Sequence, residues 1–525
     1  VWWLGVIPYK PQAIYRPVPA SATLVGRHLV LPSRWSDVAA NPLALALMRT
    51  AGVDPERAQA LTADDESREW FNKLAGREGV LAYLPGRFNA PSAWMAVSYL
   101  GGQSQQLRWQ LSLFNVPGFT RVTHFPGRSV WRVATPDVDP RQSLVIAFGE
   151  GVLMACLSEN PYAIAEVLGA YDGTVQRLLE AEGSFKRFAE SDDRSIPDRL
   201  WLRDDSDWAG AGAPGIVVDI PVLRHHAISL RATTEGLAQV PAIQGRAQNV
   251  ADLAPWLGAA PCAVAHLRRP ALEALAREPG LPRDVQFSLQ MLLDVAGDSV
   301  LAVFMDGDLG GRLAWGAMRS LGLSGLRVPT VLLATPVAST ATAAEEIQRL
   351  LDASNARYRG AFILRPVTVE DATLQVLESA GGNEWVDDLA PSDRPAYAVV
   401  EGWLLVSSNR EALQKLLRGR AATPGSPAWT TIGETEAAAA GWLELARSGK
   451  LARDAIATWT MAQVFMGGGS SQAAREQLNE VKAWVDAFMP FGEARWSLSR
   501  QVGPTTLAVD LGLSGAINPV RIPAP

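Results

Sequence analysis

Gly76-Arg-Glu-Gly-Val-Leu-Ala-Tyr-Leu-Pro-Gly86 and Gly297-Asp-Ser-Val-Leu-Ala-Val-Phe-Met-Asp-Gly307 are two versions of one phrase. Each places a short apolar run between glycines, the pattern of a strand bounded by turns. A second phrase recurs in the same order. Leu144-Val-Ile-Ala-Phe-Gly-Glu-Gly-Val-Leu-Met-Ala-Cys-Leu-Ser158 is echoed by Ala396-Tyr-Ala-Val-Val-Glu-Gly-Trp-Leu-Leu-Val-Ser-Ser408, and an apolar helical pattern follows each copy. Ordered recurrence of this kind predicts one folding unit used twice.

Working outward, the first unit predicts strands over 22–31, 80–84, 93–99, 121–125, 129–134, 144–148, 152–157, 215–220 and 227–234. Helices are expected over 35–50, 161–168 and 175–190, and residues 107–113 fit either state. The second unit repeats the order, with strands at 263–267, 300–305, 313–318, 331–334, 360–364, 372–377 and 396–406. Its closing strands are at 495–499 and 505–511. Two helices joined by Gly467-Gly-Gly-Ser-Ser471 form an insertion over 451–488. Strands joined by tight turns pair antiparallel, because a parallel pair needs a crossover of a dozen or more residues. The expected fold class is therefore α+β: two tandem similar units, each a mostly antiparallel sheet with helices packed on one face. The expected division is an anchor and stalk over 1–16, a first repeat over 17–240 and a second over 250–515.

Composition bounds the function. The chain has 525 residues, 48% apolar and 19% charged, with a net charge of -6. That is a packed globular chain without the basic footprint of a general nucleic-acid binder. Two cysteines, Cys156 and Cys262, leave open either two buried thiols or a bridge between the repeats. Five histidines include no metal-binding spacing, and His225-His226 on a strand would face opposite sides. No phosphate-cradling glycine loop and no nucleophile elbow is present, so no cofactor, metal or catalytic residue is assigned.

The first residues, Val1-Trp-Trp-Leu-Gly-Val-Ile-Pro8, lead into Tyr9-Lys10-Pro11. Seven apolar residues do not span a bilayer. Trp2, Trp3, Tyr9 and Lys10 are nevertheless the residue types that sit at a membrane interface. One reading makes this stretch the outer end of a membrane anchor, followed by a proline-stiffened stalk over 11–20. The other makes it a buried first strand.

The order carried by Pro19-Ala-Ser-Ala22, Glu78-Gly-Val-Leu-Ala82 and Glu150 to Ser158, and again by Pro261, Ser299-Val-Leu-Ala302 and Glu401 to Ser407, is similar to that of a bacterial family of membrane-anchored extracytoplasmic proteins of unknown function. The resemblance covers residues 17–513. It implies a periplasmic location and an N-terminal anchor in the inner membrane, and it implies no chemistry.

Among the 18 tryptophans, Trp35, Trp70, Trp94, Trp131, Trp315, Trp403 and Trp496 fall in apolar elements and are expected in the core. Trp201, Trp208, Trp256 and Trp385 lie in or beside polar stretches and are the candidate interface anchors, since tryptophan is over-represented among binding hot spots. Three functions follow in order. The first is a non-catalytic extracytoplasmic interaction or scaffold protein, an accessory subunit of a membrane-associated complex with a protein partner. The second is a module binding lipid, glycan or peptide between the repeats. The third is a carboxylate-dependent hydrolase using Asp204, Asp207, Asp387 or Asp388.

Overall fold

A computed structural model describes residues 7–8, 10–50, 54–60, 62–86, 90–125, 127–134, 141–191, 193–203, 215–235, 250–277, 283–306, 311–312, 327–357, 362–381, 386, 389–419, 427–434, 436–465, 472–500 and 506–514. The chain forms two compact units, Val1–Gly236 and Leu237–Pro525. The fold is α+β, and among the described residues every strand pairing within each unit is antiparallel.

The first unit contains β1 (Leu24–Leu29), β2 (Glu78–Leu84), β3 (Ala93–Tyr99), β4 (Phe119–Arg121), β5 (Val130–Val133), β6 (Ser143–Phe148), β7 (Val152–Ser158), β8 (Asp198–Leu202), β9 (Ile216–Arg224) and β10 (Ala227–Glu235). Their spatial order is β4-β5-β6-β7-β3-β2-β1-β8-β9-β10.

The second unit contains β11 (Pro261–Arg268), β12 (Ser299–Met305), β13 (Gly311–Arg312), β14 (Arg327–Val328), β15 (Thr330–Pro336), β16 (Phe362–Val369), β17 (Ala372–Ser379), β18 (Ala396–Val400), β19 (Trp403–Ser407), β20 (Ala439–Glu444), β21 (Glu493–Arg500) and β22 (Thr506–Ser514). Apart from the small β13–β14 ribbon, the order is β16-β17-β18-β19-β15-β12-β11-β20-β21-β22. β12 thus lies between β11 and β15; the expected strand over 313–318 lies outside the described residues.

Helices cover both faces of each sheet, which corrects the expectation of one covered face. Strand alternation produces this directly, because successive side chains point to opposite sides. In β6, Val145 and Ala147 join a core with Ile164, Val167 and Phe185, from helices Ile164–Asp172 and Gly183–Glu190. Ile146 and Phe148 face the other way, against Leu107 and Leu111 of helix Gln103–Leu113. In the second unit, Leu301 and Val303 pack with Leu413 and Leu416 of helix Arg410–Arg418, whereas Val300 meets Leu272 and Leu293. Full burial of each such side chain is worth about 1.5–3 kcal/mol.

The stalk expected over 11–20 is part of the first core. Pro11 opens a 3-10 turn, Pro11–Ile14, and Ile14, Tyr15 and Val18 are fully buried. The Tyr15 ring meets Phe185 edge-on at 5.8 Å. Prolines fix φ but leave side chains between them free to pack, and here the apolar ones do. The segment over 107–113 is helical, and the helix expected over 175–190 is two, Leu178–Ala181 and Gly183–Glu190. The insertion consists of helices Leu445–Phe465 and Gln472–Phe488. No helix among the described residues is long and apolar enough to cross a membrane.

Candidate functional site

A groove of about 820 Å³ opens on the first unit beside its first residues. Its wall is built by the turn that buries Ile14 and Tyr15 and leaves Lys10 and Arg16 exposed. Arg16 Nε donates to the Tyr171 carbonyl at 3.0 Å, and its guanidinium lies 4.9 Å from the centre of the Tyr171 ring. That ring is held at its far end, where the phenol oxygen accepts the Glu150 amide at 2.9 Å. Tyr99 donates its hydroxyl to the Ile7 carbonyl at 3.2 Å. Gly151, at φ 77°, permits the approach of the first segment: a Cβ there would lie 3.1 Å from an Ile7 methyl.

Charge in this groove divides into fixed and available groups. Arg177 donates to the Ala170 carbonyl at 2.7 Å and to Glu180 at 3.0 Å, so it is committed. Lys10, Arg16 and the Glu150 carboxylate make no ion pair among the described residues. The groove therefore offers two unpaired cations and one unpaired carboxylate beside two phenol rings; its remaining carboxylate, Glu190, lies 3.9 Å from Lys186 Nζ.

A second groove, of about 580 Å³, lies in the second unit. Its mouth carries the tips of hairpins β16–β17 and β18–β19, where Glu370 (φ 51°) and Glu401 (φ 49°) take the left-handed conformation that favours glycine. Tyr397, Gln375 and Trp256 line it as well. Burial raises the Tyr397 hydroxyl above its ordinary pKa.

A third feature is a ridge. Helix Gln103–Leu113 turns Leu107 and Leu111 inward, and Trp109 (47% exposed), Leu113 (76%) and Phe114 (67%) remain outside. Trp109 and Leu113 share a face at i,i+4, and exposed apolar side chains of this size are of the kind that line interaction surfaces.

The expected interface anchors fare differently. Trp201 is a correction: it has no exposed surface, its ring meets Phe185 at 5.3 Å, and its Nε1 donates to Ser184 Oγ at 3.1 Å. Alternation along β8 sends it into the core despite the polar residues that follow. Trp256 is likewise buried in the second core, with one edge on the groove. Trp208 and Trp385 lie outside the described residues, as do Trp2, Trp3, Tyr9, Asp204, Asp207, Asp387 and Asp388. Lys10 is the one membrane-interface candidate that is described. Trp70, expected in the core, is 43% exposed and carries Lys73 Nζ 5.1 Å from its ring centre. His225 and His226 form the β9–β10 turn instead of lying within a strand, and their rings stack at 3.7 Å.

Burial pushes the Cys156 thiol up to about 12 and raises that of Cys262, and both thiols are free. Among the described residues no group of three or more His, Cys, Asp or Glu side chains is placed to hold a metal.

Sequence reasoning missed one charged centre. Asp198, 2% exposed at the start of β8, accepts from His28 Nδ1 at 2.8 Å and takes both terminal nitrogens of Arg34. Burial alone would raise its carboxyl; the hydrogen bonds and charges of His28 and Arg34 outweigh that and hold it low. This centre ties β1, β8 and helix Leu31–Ala40 together. No known family matches the chain, and no curated protein and no solved structure is detectably similar to it.

Proposed function

We propose that this chain is a membrane-tethered extracytoplasmic interaction protein, an accessory subunit that docks a protein partner on its first unit. The observation that carries the reading is the ridge of Trp109 and Leu113, left outside by a helix whose other face is packed, with Phe114 exposed at its C-cap. Aromatic residues at such places are typical binding anchors. The tether is read from the apolar run before Pro8 and its Trp, Tyr and Lys neighbours, and the resemblance to an anchored envelope family supports it. The buried Ile14, Tyr15 and Val18 then make the connection short, holding the first unit close to the bilayer.

We infer also that the two units are copies of one α+β unit. Support comes from the coincidence of ten strands in the same spatial order. A local motif adds to it: after β7, Ser158 Oγ accepts the Asn160 amide at 3.1 Å, and after β19, Ser407 Oγ accepts the Asn409 amide at 3.1 Å.

The test is membrane extraction in mild detergent, with the wild type compared with the Trp109→Ser/Leu113→Ser/Phe114→Ser variant. The wild type is expected to sediment with membranes and, after extraction, to migrate as a complex larger than its own mass. The variant should keep its circular dichroism and its membrane fraction but lose the partner. Recovery of the wild type as a lone monomer in the soluble fraction would sink the proposal. A second reading, as a ligand-binding module, is favoured by the two grooves.

A further inference from the structure

We propose that the groove beside Lys10 and Arg16 binds the headgroup of an amine-bearing phospholipid, a phosphate ester joined to a primary ammonium. The inference rests on the tether reading, which puts this groove at the membrane surface, and it supplies that reading with a lipid contact.

Three observations carry it. The groove is built by the first segment itself: Ile7 and Pro8 line it together with Lys10, and the Ile7 carbonyl is fixed by the Tyr99 hydroxyl. A tether entering the bilayer before Pro8 therefore leaves this cavity at headgroup depth. Its available charges are matched to a zwitterion and poorly matched to a simple anion. Lys10 and Arg16 can take phosphate oxygens, Arg16 through the terminal nitrogens that its Nε bond to the Tyr171 carbonyl leaves open. The Glu150 carboxylate can take the ammonium. Finally, the site is preorganised. Tyr171 is held by the Glu150 amide at its hydroxyl and by Arg16 at its carbonyl, so these groups need little ordering on binding. The volume of about 820 Å³ accommodates a headgroup with its glycerol.

The same chemistry is offered by a free phosphoethanolamine ester, and the test separates the two sources. The full chain, extracted in maltoside detergent, is titrated calorimetrically with glycerophosphoethanolamine, with dihexanoyl phosphatidylethanolamine below its micellar concentration, and with inorganic phosphate. Saturable binding is expected for all three, tightest for the lipid and weakest for inorganic phosphate. Arg16→Gln should weaken all three ligands about tenfold, whereas Glu150→Gln should weaken only the two amine-bearing ones by about that factor. Both side chains are exposed, so neither variant threatens the fold. No saturable binding of either amine-bearing ligand, or variants that titrate as the wild type does, would overturn the site. That outcome leaves the tether standing if the chain still fractionates with membranes. Equal affinity for the ester and the lipid, from a chain found in the soluble fraction, would overturn the lipid source and the tether together.

Discussion

β1 and β11 hold the same place in their sheets, yet they solve the same packing problem with opposite chemistry. Each strand ends in the same pair of backbone bonds: Leu29 to the Pro197 carbonyl and Val30 to that of Arg77, against Arg268 to Ala438 and Arg269 to Asp298. The register that follows sets His28 opposite Asp198 and Leu267 opposite Ala439. One position earlier, Arg27 faces Arg199 where His266 faces Ala440. Arg27 donates to the carbonyls of Asp193 and Ile196, and Arg199 pairs with Asp219 at 2.6 Å. The residue matching Asp219 across β21 is Ser497. The first sheet is thus pinned by charges on both sides of β1, whereas the second sets Leu267 against Ala439 and keeps His266 and Arg268 as the buried polar groups of its junction. A buried ion pair is seldom more stable than the apolar residues that replace it, but it is costly to break.

The largest expected effect comes from breaking that centre. Asp198→Ala strands His28 and Arg34 and should cost about 3–5 kcal/mol, toward the lower end because both partners reach some solvent. Replacing the whole set with apolar residues, His28→Leu, Arg34→Leu and Asp198→Ala together, should recover most of the loss. Hydrogen exchange across β1 and β8 in the full chain reads both. A triple variant no more protected than the single one would show that apolar residues do not replace the charged set.

Acid sharpens the comparison, because the two junctions titrate in different windows. His266 is 3% exposed with no hydrogen-bond partner for Nε2 among the described residues, and burial, aided by the Arg268 charge, pushes it down from 6.5 to about 4. A depressed histidine contributes stability that is fully present above its ordinary value and is lost as pH falls toward the folded one, about 3 kcal/mol in all. Asp198, held below 3.8, keeps its contribution until pH falls below that value. Acid titration should therefore loosen β11 and β20 between pH 6.5 and 4 while β1 and β8 stay protected. His266→Leu should flatten the first window alone; simultaneous loss in both units would show that His266 does not control it.

How much of this was legible in the chain depended on the range of the interaction. Turn glycines and strand runs gave the hairpins β6–β7 and β18–β19 at once, because both ends of the pattern lie within a dozen residues. His28 and Asp198 are 170 positions apart, and nothing local to either announces the other. Trp201 was misplaced because neighbouring polarity was weighed above the alternation Asp198-Arg-Leu-Trp-Leu202, which puts it on a single face with Arg199. The ridge was readable in principle: Leu107 and Leu111 at i,i+4 define an inward face that excludes Trp109 and Leu113. The groove was not readable, since it needs the first segment to return beside β3, the β6–β7 turn and Tyr171.

The smallest contrast is at the Ser-x-Asn turns, where the chemistry is shared and only the surroundings differ. Asn409 Oδ1 caps helix Arg410–Arg418 by accepting the Ala412 amide at 2.8 Å, and its Nδ2 donates to Asp393 at 3.0 Å within a buried site. Asn160 Oδ1 accepts the Tyr162 amide at 3.0 Å in a turn open to water. Loss of a side-chain cap costs about 0.5–2 kcal/mol, and the cost falls when water can satisfy the amide left behind. Asn409→Ala should therefore cost about 1–2 kcal/mol, since Asp393 loses a partner as well as the helix its cap. Asn160→Ala should cost less than about 0.5 kcal/mol. Urea unfolding of the two variants reads the difference directly. Equal costs would mean that the turn itself, and not its burial, sets the energy.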